Sequence, residues 1–402
     1  MSDFYQRGLI TTLHNLGHDN CARLESELLG HARRRPIALV LPTTVDDFHA
    51  PPMEGILARL VEAPFLGEIV FTLGPAGPDD FAAVRRRLSD IGLEATVLWN
   101  DGPRLTEIAR QIEKAQLPLG LPGKGRSAWM AFGYVIGRGE FHSIALHDCD
   151  IVTYERRLLP RLCYGVTHPE LGYEFCKGYY SRVTDRLHGR ATRLLVTPLL
   201  RSLVKMIGHH PLLTFFDSFR YPLAGEFAMT TRLARQNRIP GDWGLEVGVL
   251  AEVYRNVSLR NICQADIADG YEHKHQALSP EDAGRGLHKM GVDICKSLFR
   301  TLASEGVIFS GAFFNTLVAA YVKTAENMLE RYQDDAAINS LIFDRHAEAR
   351  AVETFTHAVR EAAATISDDP LGVPLIASWD RVASAIDGIC ENLVQAVQDD
   401  NR

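Results

Sequence analysis

Asp148 and Asp150 stand either side of one cysteine in Leu146-His147-Asp148-Cys149-Asp150, directly after an apolar run. Two carboxylates one residue apart bring hard oxygen ligands to one point, which suits Mg²⁺ or Mn²⁺ beside a phosphate-bearing substrate. The same spacing also occurs in plain polar turns, so both readings stand on the motif alone. Gly123-Lys124-Gly125-Arg126 precedes a helical pattern and could bring backbone and an ammonium to a phosphate; the bland alternative is a turn with a solvated lysine. It is not a P-loop, because the GxxxxGK[ST] spacing is missing. The run Arg186 to Arg193 gathers cations around Gly189, with Thr192 adding a hydroxyl; it reads either as a cradle for an anionic acceptor or as a charged helix start. Glu226 and Glu246 lie among small and apolar residues, where a carboxylate needs partners, so each is a contact to sugar hydroxyls or a structural hub. His273 and His275 add imidazoles that reach a metal only if the fold carries them to Asp150.

These residues need a scaffold that converges on them. Short apolar runs at 37–42, 68–73, 95–99 and 143–148 read as strands, and amphipathic patterns at 53–63 and 79–92 read as helices between them. Alternation of that kind predicts an α/β fold with a Rossmann-like, mainly parallel sheet, whose ligands bind at the carboxyl ends of the strands. Pro42, Gly74, Asn100 and Asp148 each follow a strand, where that rule puts a site. After about residue 278 the pattern becomes helical. Ser279-Pro280-Glu281-Asp282 carries a capping serine and a proline at the first helical position. Apolar faces then recur at Leu287, Met290, Ile294 and Leu298, at Phe313, Leu317, Tyr321 and Met328, at Val352, Phe355 and Val359, and at Trp379, Val382, Ile386 and Leu393. The expected division is a helical segment over 1–35, an α/β domain over 36–278 and a helical C-terminal appendage over 279–402, whose apolar stripe packs within the chain or across a homodimer.

Composition narrows the function further. Hydrophobic residues make up 46% and charged residues 23% of the 402 positions, ordinary globular values that predict neither disorder nor a fibrous form. A net charge of -7 argues against a nucleic-acid binder, which normally presents a basic face. No apolar run approaches the roughly 18 residues of a membrane span, and residues 1–9 lack a secretion signal, so a cytoplasmic location is expected. Seven scattered cysteines without a CxxC pair suggest neither a disulfide framework nor a zinc cage.

Taken in order, GKG, DCD, HGRAT, LAGEF, WGLEVG and EHKH resemble the retaining glucosyl-3-phosphoglycerate synthase and mannosyl-3-phosphoglycerate synthase group of GT-A glycosyltransferases, over roughly residues 36–280. The resemblance implies a GT-A nucleotide-diphospho-sugar transferase fold. It also implies transfer of a hexose from a nucleoside-diphosphate sugar, UDP-glucose or GDP-mannose, to the 2-hydroxyl of 3-phosphoglycerate with Mg²⁺ or Mn²⁺. It puts Asp150 and His273 on the metal, and Pro42, Thr43, Thr44, Asp46, Lys124 and Asp148 at the donor nucleotide. Gly189, Arg190, Thr192 and His275 fall at the acceptor, Glu246 at the transferred sugar and the Leu223 carbonyl on the sugar's front face. Two loops depart from the family pattern: Pro42-Thr43-Thr44-Val45-Asp46 replaces Pro-Ala-Leu-Asn-Glu, and Leu73 to Gly77 replaces a serine-containing loop. His275 also stands where asparagine is expected. The competing readings are a nucleotidyltransferase that makes the sugar nucleotide, although PTTVDDFH offers no glycine-rich signature after the first strand, and a non-catalytic scaffold working through its helical tail.

Overall fold

The structure is a computed structural model that describes residue 6 and residues 8–16, 20–241, 244–272 and 286–402. Among these, eight strands form one sheet: β1 (Thr11–Leu13), β2 (Ile37–Thr43), β3 (Leu66–Leu73), β4 (Thr96–Trp99), β5 (Ser143–Leu146), β6 (Phe175–Tyr180), β7 (Phe227–Thr230) and β8 (Ile262–Ala268). Their spatial order is β1-β8-β6-β7-β5-β2-β3-β4. β7 runs antiparallel to both β5 and β6, and the other pairings are parallel.

The apolar runs form strands because both faces of the sheet are covered. Along β2, Ala38 and Val40 enter the core on one face, and Ile37, Leu39 and Leu41 enter the core on the other. A strand buried on both sides reads as a continuous hydrophobic run, as IALVL does. The four strands and two helices expected in the first half are present. Residues 1–35 differ from their helical reading: Thr11–Leu13 pairs with β8 at the sheet edge before the helix Cys21–Ala32 begins. Three residues are too short to leave a periodicity, so β1 has no local signal.

The helical C-terminal part comprises Gly286–Ser304, Gly311–Ile338, Arg345–Asp368, Trp379–Ala385 and Ile389–Asp400. The helix start expected at Ser279 to Asp282 lies outside the described residues. The face read across Trp379 to Leu393 is split into two helices, because the chain turns at Gly388 with φ +69°, a left-handed conformation that glycine tolerates. Leu298, Leu317, Phe355, Trp379 and Leu393 belong to the same apolar core as Ala38, Val40, Ile144 and Leu146 of the sheet. The change of pattern near 278 therefore marks no gap in packing. The Trp379 and Trp129 rings stack at 4.2 Å; the Trp379 indole donates to the Trp129 carbonyl, and the Trp129 indole to the Ala377 carbonyl. Asn401 receives the Val97 amide at 3.0 Å and donates to the Val97 carbonyl at 2.8 Å, so the end of the tail pairs the exposed edge of β4. Among the described residues no helix is long and apolar enough to cross a membrane.

Candidate active site

Because β7 is antiparallel, the loop that enters it reaches the same sheet edge as the carboxyl ends of β2, β5 and β6. A cavity of about 1570 Å³ opens there. Pro42, Thr43 and Thr44 line it from the end of β2, and Asp148 and Asp150 from the end of β5. Lys124, Gly189, Arg190, Leu223 and Glu246 complete the set of expected residues on its wall.

Lys124 is the centre of the charge pattern. It is the first residue of the helix Lys124–Arg138, and its Nζ lies 2.7 Å from Asp148 Oδ1 and 3.0 Å from Glu246 Oε1. Burial alone would lower this ammonium, but the Asp148 and Glu246 carboxylates outweigh it and hold the group above its ordinary value. Glu246 sits in the first turn of Leu245–Asn256, where the helix dipole favours a carboxylate. Two glycines make the cluster possible. A β-carbon at Gly125 would stand 2.1 Å from the Pro240 carbonyl oxygen, and one at Gly225 would stand 2.4 Å from Asp148 Oδ2. The second contact presses the β7 entry loop against the carboxylate itself.

Behind this front the groups are buried. Burial, and then the neighbouring Asp148 carboxylate, push Asp150 up to about 7, so near neutral pH it gains and loses its proton readily and a bound cation would favour the carboxylate. Such a response, with hard oxygens facing a cavity that holds Lys124, fits Mg²⁺ or Mn²⁺. Among the described residues no three His, Cys, Asp or Glu side chains converge as a ready-made metal cage. His147 is fully buried, with Nδ1 2.8 Å from the Asp148 carbonyl and Nε2 3.1 Å from the Tyr154 hydroxyl; a carbonyl can only accept, so Nδ1 carries the proton. Cys149 is buried against the Thr43 hydroxyl, and burial raises its thiol, so it packs and does not react. Glu226 is a structural hub: it is 1% exposed and accepts from the hydroxyls of Tyr180 and Tyr271, whose rings stack at 3.6 Å. Lys177, buried on β6, donates to the Ala224 carbonyl at 2.5 Å and pins the β7 entry loop next to Leu223.

The other side of the cavity is cationic. Arg190 opens a π-helical turn, Ala191–Val196, a geometry that recurs at functional sites. Arg182 follows β6 and also lines the cavity; its guanidinium donates to the Tyr221 hydroxyl, while its buried Nε has no partner among the described residues. Sequence reading passed over Arg182, although it follows the apolar run FCKGYY much as Thr43 and Thr44 follow IALVLP. Leu287, Lys289 and Met290 of Gly286–Ser304 close the wall from the C-terminal part.

Not every expected residue is on that wall. Asp46 is exposed on the short helix Val45–His49, and it is Asp47, capped onto the Thr44 hydroxyl, that lines the cavity; one helical step turns Asp46 away. The Thr192 hydroxyl is buried inside the π-helical turn, not on the cavity surface. His273 and His275 lie outside the described residues.

No protein-family model matches the chain. A glucosyl-3-phosphoglycerate synthase of Persephonella marina is 46% identical over 401 residues, covering 100% of this chain and 99% of the relative. Another, from Methanococcoides burtonii, is 37% identical over 399 residues, covering 98% and 97%. Among solved structures, a glucosyl-3-phosphoglycerate synthase from Mycobacterium tuberculosis in complex with Mn²⁺, UDP-glucose and phosphoglyceric acid superposes with a TM-score of 0.52 at 21% identity, over 75% of this chain and 89% of that one. That likeness shows the shared fold.

Proposed function

Because the chain belongs to the glucosyl-3-phosphoglycerate synthase family and is thereby a glycosyltransferase, we propose that its cavity transfers glucose from UDP-glucose to the 2-hydroxyl of 3-phosphoglycerate, with retention at the anomeric carbon. One observation carries the reading to the residues. Lys124, Asp148 and Glu246 form a compact charged cluster on one wall of a cavity whose other wall presents Arg182 and Arg190. Such an arrangement suits a diphosphate and sugar facing a small doubly anionic acceptor.

In this reading Lys124 holds diphosphate oxygens, Asp148 the nucleoside, and Glu246 the glucosyl hydroxyls. Pro42, Thr43 and Thr44 border the nucleotide, with Asp47 in the place expected of Asp46. Gly189 and Arg190 take the acceptor's charged ends, and the buried Thr192 supports that side, with His275 assigned there by the family resemblance alone. The Leu223 carbonyl faces the sugar. Among the described residues of the cavity wall none stands out as a covalent nucleophile, which favours a front-side route in which leaving-group oxygen assists deprotonation of the acceptor hydroxyl. Preorganised charge on the leaving side then supplies most of the rate. Asp150, with His273, would hold Mg²⁺ or Mn²⁺, which when bound neutralises charge on the diphosphate. The reaction belongs in the cytoplasm, where phosphorylated small acids and sugar nucleotides are made. Pairing of two copies through the helical part, where Ile308, Ile338 and Leu371 are singly exposed, goes with this reading.

The test is release of nucleoside diphosphate from UDP-glucose and from GDP-mannose, each with Mg²⁺ and with or without 3-phosphoglycerate. Acceptor-dependent UDP release is expected, with severe loss in Asp150→Ala and an unchanged fold by circular dichroism. Pyrophosphate formation from a sugar phosphate and a nucleoside triphosphate would instead identify a nucleotidyltransferase. Wild-type rates in Asp150→Ala would remove that residue from the site.

A further inference from the structure

The C-terminal helices do more than cover the sheet. Glu348, 4% exposed on Arg345–Asp368, accepts from Arg190 Nε at 2.7 Å and from Arg193 Nη2 at 3.0 Å. The Arg193 guanidinium also donates to the carbonyls of His188 at 2.7 Å and Leu187 at 3.2 Å, and it lies 4.8 Å from the centre of the Tyr332 ring. Two further ties reach the same stretch. The Ile342 amide donates to the Asp185 carbonyl at 2.8 Å, and the buried Tyr321 hydroxyl donates to the Leu194 carbonyl at 2.8 Å. The cationic turn is thus fastened at four points to residues 321–348, far along the chain.

We propose that Glu348 is a positioning residue for the acceptor, fixing the Arg190 guanidinium so that its remaining N–H groups face the cavity. The inference rests on the reading of Arg190 as an acceptor ligand. Arginine has five N–H donors in a rigid fork. Glu348 engages Nε and leaves both terminal nitrogens for a carboxylate or phosphate. One carboxylate between two guanidinium groups also leaves a net positive charge at the turn, which a small anion complements. Without the anchor, Arg190 regains its rotamers and the acceptor must order it on binding. The donor side, built from Lys124, Asp148 and Glu246, shares no hydrogen bond with Glu348.

The experiment is steady-state kinetics of Glu348→Gln and Glu348→Asp, with donor and acceptor varied separately and UDP-glucose binding measured by calorimetry. Glu348→Gln keeps the shape but loses the charge. The expected result is an acceptor KM raised about 10- to 100-fold, the scale of one charge-assisted contact, with donor KM and donor affinity unchanged and partial recovery in Glu348→Asp. An acceptor KM equal to wild type, or donor and acceptor KM rising together, overturns the inference. If Glu348→Gln does not fold, Glu348→Asp decides by the same split. A wild-type chain that releases no UDP in response to 3-phosphoglycerate refutes the functional reading instead.

Discussion

Replacing Lys124 with methionine removes the ammonium that bridges Asp148 and Glu246 while keeping the volume of the side chain. An ammonium about 3 Å from an anion, in a site of effective dielectric about 20, interacts by about 5 kcal/mol, which partial exposure lowers to about 3–4 kcal/mol. If the same ammonium faces the diphosphate as it departs, that energy is a transition-state term, and kcat falls roughly 100- to 1,000-fold. Donor KM should change less, because charge on the diphosphate grows as the bond breaks. Lys124→Arg retains the charge but spreads it over a wider fork, and it should recover part of the rate. The assay is UDP release at saturating donor and acceptor, with UDP affinity measured in parallel and circular dichroism as the check on folding. A folded Lys124→Met variant with kcat within about threefold of wild type would falsify this electrostatic reasoning.

Three more outcomes follow from the same geometry. Burial lowers His147 from 6.5 to about 4, so the folded state favours the neutral ring and the unfolded chain takes up the proton first as pH falls. Its contribution to stability is therefore present above pH 6.5 and lost between 6.5 and about 4, at most about 3 kcal/mol; His147→Gln should flatten that limb of a urea-denaturation series, and an unchanged slope would contradict it. Trp379→Ala empties a site that is 0% exposed and unstacks Trp129, so unfolding free energy should drop by about 3–5 kcal/mol; a loss below about 1 kcal/mol would mean that the tail is not packed as described. Chelation by EDTA should abolish sugar transfer, and Mn²⁺ or Mg²⁺ should restore it, whereas full activity in EDTA would exclude the metal role given to Asp150.

Much of the cavity wall around Lys124 and Asp148 was legible because its residues sit in short, ordered motifs. The apolar run SIAL announces a buried strand, and Asp148 and Asp150 follow at its carboxyl end, where an α/β sheet binds ligands. GKG pointed to Lys124 because glycine before a helix permits close approach, and Gly125 does pack against the Pro240 carbonyl. What stayed hidden depends on contacts between distant residues. Glu348 is an ordinary helical glutamate in sequence, and its partners lie more than 150 positions away, at Arg190 and Arg193. Whether Glu226 touches sugar or serves as a hub could not be read from its apolar neighbours; stacked Tyr180 and Tyr271 decide it. Asp46 and Asp47 are indistinguishable by type, and only the short helix Val45–His49 turns one of them into the cavity. The tail's apolar faces were plain from their period, but a stripe says only that a helix packs, not that it fastens the turn bearing Arg190.

The central claim is that this cavity joins glucose to 3-phosphoglycerate with its anomeric configuration kept. The most direct measurement is the proton NMR spectrum of the product formed by the purified chain from UDP-glucose, 3-phosphoglycerate and Mg²⁺. The expected product is a single α-linked glucosyl group on the 2-oxygen of phosphoglycerate, formed in step with UDP. A β-linked product, or UDP released equally fast without acceptor and leaving free glucose, would contradict it.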